Sequence, residues 1–277
     1  MRDAVENAQL ALLLEVAGTP KPGNVDRHRD YDDLRFEQFL AGAVGSRRGF
    51  RAVSRGEPIG AAFERAVEGM SEQSGGNTQF GALLVLVPLL KSATDDRLTS
   101  AGIAETVAET TVEDACAFYR AFEHVDVAVD EPPDGLSDLD VRRGRRAETT
   151  LRERGLTLYD VMELSSAIDG VATEWTSGFE RSFEAASWLL ADDGPIYRRT
   201  SRTFLRSLAD EPDTFIATRN GDAIAEEATR RARAVLDGEE DAEELAEEFV
   251  ARDINPGTTA DITAGGLFIA LERGLVV

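Results

Sequence analysis

The sequence predicts an all-helical protein, one multi-helix domain spanning residues 1–277. Three observations carry that reading. Apolar residues recur at helical spacing along most of the chain. Alternating strand patterns are nearly absent, and prolines, glycines and capping residues fall between the periodic segments. An apolar content of 42% is enough for a sizeable core. Residues 3–18 open the series with Ala4, Ala8, Ala11, Leu12 and Val16 at helical spacing, and Thr19-Pro20-Lys21-Pro22-Gly23 stops that helix. Segments 34–54 and 57–73 read as amphipathic helices. Segment 77–94 is apolar all round, which predicts a central helix buried on most sides. Further helices are expected at 101–124, 157–169, 170–192, 195–210, 220–237, 241–252 and 258–273. Glu131-Pro132-Pro133-Asp134-Gly135 reads as a loop, and Val125-Asp126-Val127-Ala128-Val129 is the only candidate strand. The acidic run Asp237 to Glu248 reads as a solvated helix face.

Charge and composition narrow the function. The formal net charge is -22, so the chain's own field repels nucleic acid and anionic membranes. Nearly all of the basic residues are arginine, with lysine only at Lys21 and Lys91. Dense carboxylates with almost no lysine point to a protein adapted to molar salt, a halophile; an ordinary acidic cytosolic protein is the other reading. The single cysteine, Cys116, excludes an intramolecular disulfide and reads as a small core residue. The two histidines, His28 and His124, exclude a multi-histidine metal centre. No signal-peptide pattern or span-length apolar run is present, so the expectation is a soluble, cytoplasmic protein.

Four loop segments concentrate functional groups, and loops between rigid helices are where sites usually sit. The first, Thr19 to Asp30, places Lys21, Asp26, Arg27 and His28 behind a stiff Pro-Lys-Pro-Gly turn. Lys21 and Arg27 suit phosphate oxygens, and Asp26 suits a hydroxyl or a metal. A charged surface loop is the other reading. The second, Ser74-Gly75-Gly76-Asn77-Thr78, precedes the apolar helix. Its backbone N–H groups can bind an anion, or Asn77 and Thr78 can simply cap the helix. The third, Glu211 to Gly221, carries Asp213 and Arg219, readable as a metal or ribose ligand with a phosphate cation, or as a helix cap with a surface charge. The fourth, Asn255-Pro256-Gly257-Thr258-Thr259-Ala260-Asp261, is an anion-friendly helix start. Asp261 there either complements the helix dipole or binds magnesium beside a phosphate.

The joint order of these segments resembles the triphosphoribosyl-dephospho-CoA synthase family, from about residue 5 to residue 272. Lys21-Pro22-Gly23 with Asp26, and Pro256-Gly257 with Ala260-Asp261, carry most of the resemblance. Asn77-Thr78 and Asp213-Thr214 with Arg219 complete it. The resemblance implies an all-helical, magnesium-dependent enzyme that joins C1 of the ATP ribose to the 2′-hydroxyl of 3′-dephospho-CoA and releases adenine. Asp26 and Asp261 would then be catalytic, with Asp26, Asp213 and Asp261 as metal ligands. Lys21, Gly23, Arg27, Asn77, Thr78, Arg219, Gly257 and Thr258 would bind the nucleotide. Bacterial members continue Asn-Thr with His-Lys-Gly, whereas this chain has Gln79-Phe80-Gly81. Their Gly-x-Arg-Gly-Glu-Ala segment is distorted here to Arg143-Gly144-Arg145-Arg146-Ala147-Glu148. The stretches Leu156 to Met162 and Glu174 to Phe179 resemble the archaeal branch. Trp175 and Phe179, four apart, read as core packing or as a base-stacking pair. These departures leave open a different donor or hydroxyl acceptor in another cofactor pathway, or a non-catalytic nucleotide-binding role.

Overall fold

A computed structural model describes residues 2–129, 132 and 135–277. Among the described residues the chain forms fifteen α-helices and no β-strand. The first six are α1 (Ala4–Ala17), α2 (Phe36–Val53), α3 (Ile59–Met70), α4 (Phe80–Thr94), α5 (Ser100–Ala108) and α6 (Val112–Ala121). Two short 3-10 stretches at Ser137–Leu139 and Val141–Ala147 lead into α7 (Glu148–Arg154), α8 (Leu158–Ser165), α9 (Gly170–Ser177) and α10 (Glu180–Ala191). The series ends with α11 (Ile196–Asp210), α12 (Thr214–Asn220), α13 (Asp222–Leu236), α14 (Ala242–Ala251) and α15 (Gly257–Glu272). The loop expected at Glu131-Pro132-Pro133-Asp134-Gly135 lies largely outside the described residues.

Four expectations are corrected. The helix expected over 101–124 is two helices, because Thr111 and Asp114 form a capping box that starts α6. The helix expected over 170–192 breaks at Gly178 and Phe179, both left-handed at φ 71° and 61°. The segment expected as a loop around Asp213 to Gly221 contains α12, started by the Asp213 side chain. Val125 to Val129 forms no strand, having no partner to pair with among the described residues.

Two hydrophobic clusters make up most of the core. The larger joins α1 to α10 with most of α15, and the smaller joins α11 to α14 through Phe204, Leu208, Ile216, Leu245 and Phe249. Ala260 of α15 packs in the smaller cluster, while Ala264 to Leu271 pack in the larger. α15 therefore ties the two together. α4 is buried along most of its length, and α15 shares that character, so the interior holds two such helices packed on each other. Cys116 is a buried core residue. α2 and α3 meet backbone to backbone at Gly45 and Gly69, where a Cβ on either would overlap the other's carbonyl oxygen.

Pro88 sits inside α4 and has no N–H to give the carbonyl of Leu84. The indole N–H of Trp175, fully buried in α9, donates to that oxygen at 3.1 Å. Phe179 packs beside Trp175 with ring centroids 6.4 Å apart, so the pair belongs to the core. Replacing Trp175→Phe should cost about 1–3 kcal/mol, because a buried acceptor is left without a donor. In a Pro88→Ala background residue 88 regains an N–H, and the same replacement should cost less. Equal costs in the two backgrounds, measured by denaturant unfolding, would refute this pairing.

Candidate functional site

A cavity of ≈ 680 Å³ opens between the two hydrophobic clusters. The starts of three helices form one wall: Phe80, Gly81 and Ala82 of α4, Val171 and Ala172 of α9, and Gly257, Thr258 and Asp261 of α15. Thr214 and Phe215, at the start of the short α12, complete that wall. The opposite wall is apolar, with Phe118, Phe122, Val127, Leu136 and Met162.

Buried carboxylates hold the helix starts in place. Asp213 is almost fully buried and caps two helices at once. Its Oδ1 accepts the Ile216 N–H of α12 at 3.0 Å, and its Oδ2 accepts the N–H and the hydroxyl of Thr259 in α15, both at 2.7 Å. Burial pushes the Asp213 carboxyl above the ordinary carboxylate range, and the Thr259 and Ile216 hydrogen bonds pull the other way. Asp169 caps α9 through the N–H groups of Val171 and Ala172 at 2.8 and 2.9 Å, and it faces the cavity. The Thr214 and Thr258 hydroxyls meet at 3.0 Å, and Gly170 donates its N–H to Thr214 at 3.0 Å. α9, α12 and α15 are thus cross-linked where they begin.

Asp261 lies in the second turn of α15 and presents its carboxyl to the cavity. Gly81 makes room for it, since a Cβ on Gly81 would overlap the carboxylate. Burial, with Glu15, Asp213 and Asp169 nearby, pushes the Asp261 carboxyl well above the ordinary range, and the Ala82 backbone hydrogen bond opposes this. Glu15 of α1 also faces the cavity. It is ion-paired with the fully buried Lys21, yet burial still pushes its carboxyl up.

The sequence-derived candidates divide into two groups. Asn77, Thr78, Arg219, Gly257, Thr258 and Asp261 line the cavity. Asn77 also caps α4, accepting the Phe80 N–H at 3.0 Å. Arg219 pairs with Asp253 at 2.8 Å and lies 5.7 Å from the centre of the Phe215 ring. Lys21, Gly23, Asp26, Arg27 and Asp213 stand behind the wall. Asp26 is fully buried and organises its own loop, accepting from the Thr19 hydroxyl (2.8 Å), the Lys21 and His28 N–H groups (3.2 and 2.8 Å) and Arg29 (3.1 Å). Lys21 also donates to Asn24 at 3.0 Å, so its charge reaches the cavity through Glu15 and Asn24. Gly23 has φ 72° and abuts the Ile254 carbonyl, where no side chain fits. Arg27 turns outward, bonding the Ala17 carbonyl at 2.9 Å and lying 5.1 Å from the Tyr197 ring centre. Asp26, Asp213 and Asp261 are not gathered round one point. Among the described residues, no three His, Cys, Asp or Glu side chains form a metal-holding group on their own.

The structure adds Glu15, Asn24, Gln79, Gly81 and Asp169 to the wall. Glu15 stands in the sequence as a lone carboxylate inside the apolar run Leu10 to Val16, a signal the sequence reading passed over. Asp169 had no comparable mark, being one of many acids preceding a helix. Substituting Asp213→Ala removes the cap from two helices and strands the Thr259 N–H. Unfolding free energy should fall by about 2–4 kcal/mol. A loss under about 0.5 kcal/mol in chemical denaturation would show that the joint is dispensable.

The chain matches the family model described as ATP:dephospho-CoA triphosphoribosyl transferase over residues 1–276. It is 28% identical over 284 residues to the 2-(5''-triphosphoribosyl)-3'-dephosphocoenzyme-A synthase of Pectobacterium atrosepticum, covering 92% of this chain and 84% of that protein. A "probable" synthase of the same description from Pectobacterium carotovorum is 27% identical over 280 residues, with the same coverage of each chain. The crystal structure of a "putative triphosphoribosyl-dephospho-coA synthase" from Archaeoglobus fulgidus is similar at TM-score 0.70 and 30% identity, over 87% of this chain and 99% of that one. The chain belongs to the ATP:dephospho-CoA triphosphoribosyl transferase family.

Proposed function

We infer that this protein transfers the triphosphoribosyl group of ATP to the 2′-hydroxyl of 3′-dephospho-CoA with release of adenine. The observation that carries the reading is the convergence of three helix N-termini on one cavity. In a chain of net charge -22, a triphosphate needs locally positive ground, and helix N-termini supply it. Thr258 offers backbone and hydroxyl donors, and Arg219 at the rim offers a guanidinium.

The reaction breaks the bond from ribose C1 to the adenine nitrogen and forms one from C1 to the acceptor oxygen. Positive charge grows on the ribose ring on the way, and the carboxylates of Asp261, Asp169 and Glu15 are suited to stabilise it. The acceptor hydroxyl must lose its proton, and Asp261, with its raised pKa, is suited to take it. Asp26 then acts as a positioning residue that shapes the loop behind Glu15 and Asn24. Lys21 acts in the same indirect way, by balancing Glu15. Magnesium would enter with the triphosphate. Phosphate oxygens and the wall carboxylate of Asp169 fit the oxygen-rich, part-protein coordination that this ion takes, and it would neutralise phosphate charge.

The direct test is incubation with ATP, magnesium and 3′-dephospho-CoA, followed by chromatography for free adenine and the triphosphoribosylated product. Adenine release that does not depend on the acceptor, or none at all, counts against the reading. Asp261→Asn should lower adenine release at least 100-fold. Its stability should move the opposite way. A carboxyl whose folded pKa is raised is most favourable to folding below its unfolded pKa, and that contribution is lost as pH rises through the folded value. The asparagine variant should therefore match or exceed the parent in Tm at pH 7, and it should lose less stability than the parent between about pH 4 and pH 7. Wild-type turnover in this variant, or an unchanged pH dependence of Tm, would remove Asp261 from the chemistry.

The excess of acid and the scarcity of lysine support adaptation to high salt. Screening then relieves self-repulsion, so Tm should climb steadily from low salt to molar potassium chloride. A flat or falling Tm over that range counts against it.

A further inference from the structure

The segment that starts α4 contains polar groups that the fold leaves without partners. Gln79 is only 4% exposed, yet neither its Nε2 nor its Oε1 has a hydrogen-bond partner among the described residues. The Thr78 hydroxyl beside it is also buried and unpartnered. Buried amides are nearly always satisfied, so a residue with both ends unmet marks a place where something else binds. Gly42 of α2 makes room for both groups, since a Cβ there would lie 2.6 Å from Thr78 Oγ1 and 3.1 Å from Gln79 Oε1. Both residues line the cavity.

The neighbouring surface is aromatic. Phe80 and Phe122 lie with ring centroids 4.8 Å apart and planes inclined at 58°, Phe118 meets Phe122 edge-on at 5.2 Å, and all three line the cavity. A primary amide next to an aromatic wall has the chemistry of an adenine slot. The amide N–H donates to purine N7 and its oxygen accepts from the 6-amino group, while the ring stacks on the aromatic face. Gly81, two residues beyond Gln79, packs against the Asp261 carboxylate. Gln79 and the carboxylate proposed to act in the reaction thus meet the same helix start.

We propose that Gln79 reads the adenine edge of the donor nucleotide, with the part-exposed Phe122 as its stacking face and Thr78 as a neighbouring hydroxyl, which makes Gln79 the residue that selects ATP over other purine triphosphates. This rests on the transferase reading above. Inosine triphosphate replaces the 6-amino donor by an acceptor, and 7-deaza-ATP lacks the N7 acceptor, so each breaks one half of the pairing.

The test is calorimetric binding of ATP, inosine triphosphate and 7-deaza-ATP, with magnesium and no acceptor, to the parent and to Gln79→Leu and Gln79→Glu. The parent should bind ATP roughly 10- to 100-fold more tightly than either analogue. Gln79→Leu should bind all three alike, at the analogues' level. Its Tm should not fall, because leucine removes two unpartnered amide atoms at similar volume. Gln79→Glu, which exchanges the donor for an acceptor, should also lose the preference for ATP. A parent that binds all three alike overturns the proposal, as does a preference that survives both substitutions. So does an equal loss of affinity for all three nucleotides with a lowered Tm, which marks a structural role. Adenine release by the parent with 3′-dephospho-CoA is measured separately. Discrimination without release sinks only the reaction, and release without discrimination sinks only the role of Gln79.

Discussion

The structure depends on carboxylates buried at helix N-termini. Each helix begins with N–H groups that have no partner inside the helix, and several helices here begin in the interior, away from water. Asp213 meets the need for α12 and α15 together. Asp114 does the same for α6 and α3, accepting from Thr111 and from the Gly60 N–H at 2.7 Å. Glu174 accepts the N–H groups of Arg181 and Ser182 where α10 begins, at 3.1 and 2.9 Å. An isolated charge in such places would be costly, but two or three N–H and O–H donors aimed at it offset much of the loss. Helices that start on a shared acid are also fixed relative to one another, and this sets the shape of the cavity.

The same device accounts for the electrostatics of the site. Helix starts are positive and their caps negative, so the wall carries both signs at close range. Asp261, Asp169 and Glu15 face a common space, which burial makes unfavourable for full ionisation. Lys21 compensates only Glu15 directly. A wall of this kind suits a substrate that brings phosphate charge to one end and developing positive charge to its ribose. It also separates labour within the loop from Thr19 to Asp30, whose buried Lys21 and Asp26 maintain the wall from behind.

The acids on the outer surface follow a different logic. The run from Asp237 to Glu248 is not left wholly to solvent. Arg231 pairs with Glu240 at 3.0 Å, and Glu248 is shared between Arg231 and Arg252, at 2.6 and 2.8 Å. These arginines pull the Glu248 carboxyl down to about 2. Arginine suits such shared contacts because its planar fork can hold two carboxylates at once. The near absence of lysine therefore has a structural counterpart in arginine-centred clusters.

The helical class and most of the helix boundaries were legible in the sequence, because apolar period, proline, glycine and capping residues act locally. Segments 3–18, 57–73 and 195–210 fold nearly as their patterns require. The break between α9 and α10 was less legible, because Phe179 adopts a left-handed backbone in a fully buried position, held there by packing around Trp175. Family membership was legible too, since Pro-Gly turns and their aspartates recur in a set order along the chain. What the sequence could not reveal was direction. Asp26, Asp213 and Asp261 look alike as acids near turns, yet only Asp261 opens on the cavity, while the other two spend their oxygens on backbone and side-chain donors. Gln79 looked like a substitution in a family motif, and only the packing of α2 against the start of α4 leaves its amide buried and unmet. Local patterning decides which residues form helices, whereas the side of a wall that a side chain faces depends on neighbours distant in sequence, and that is settled only when the helices pack.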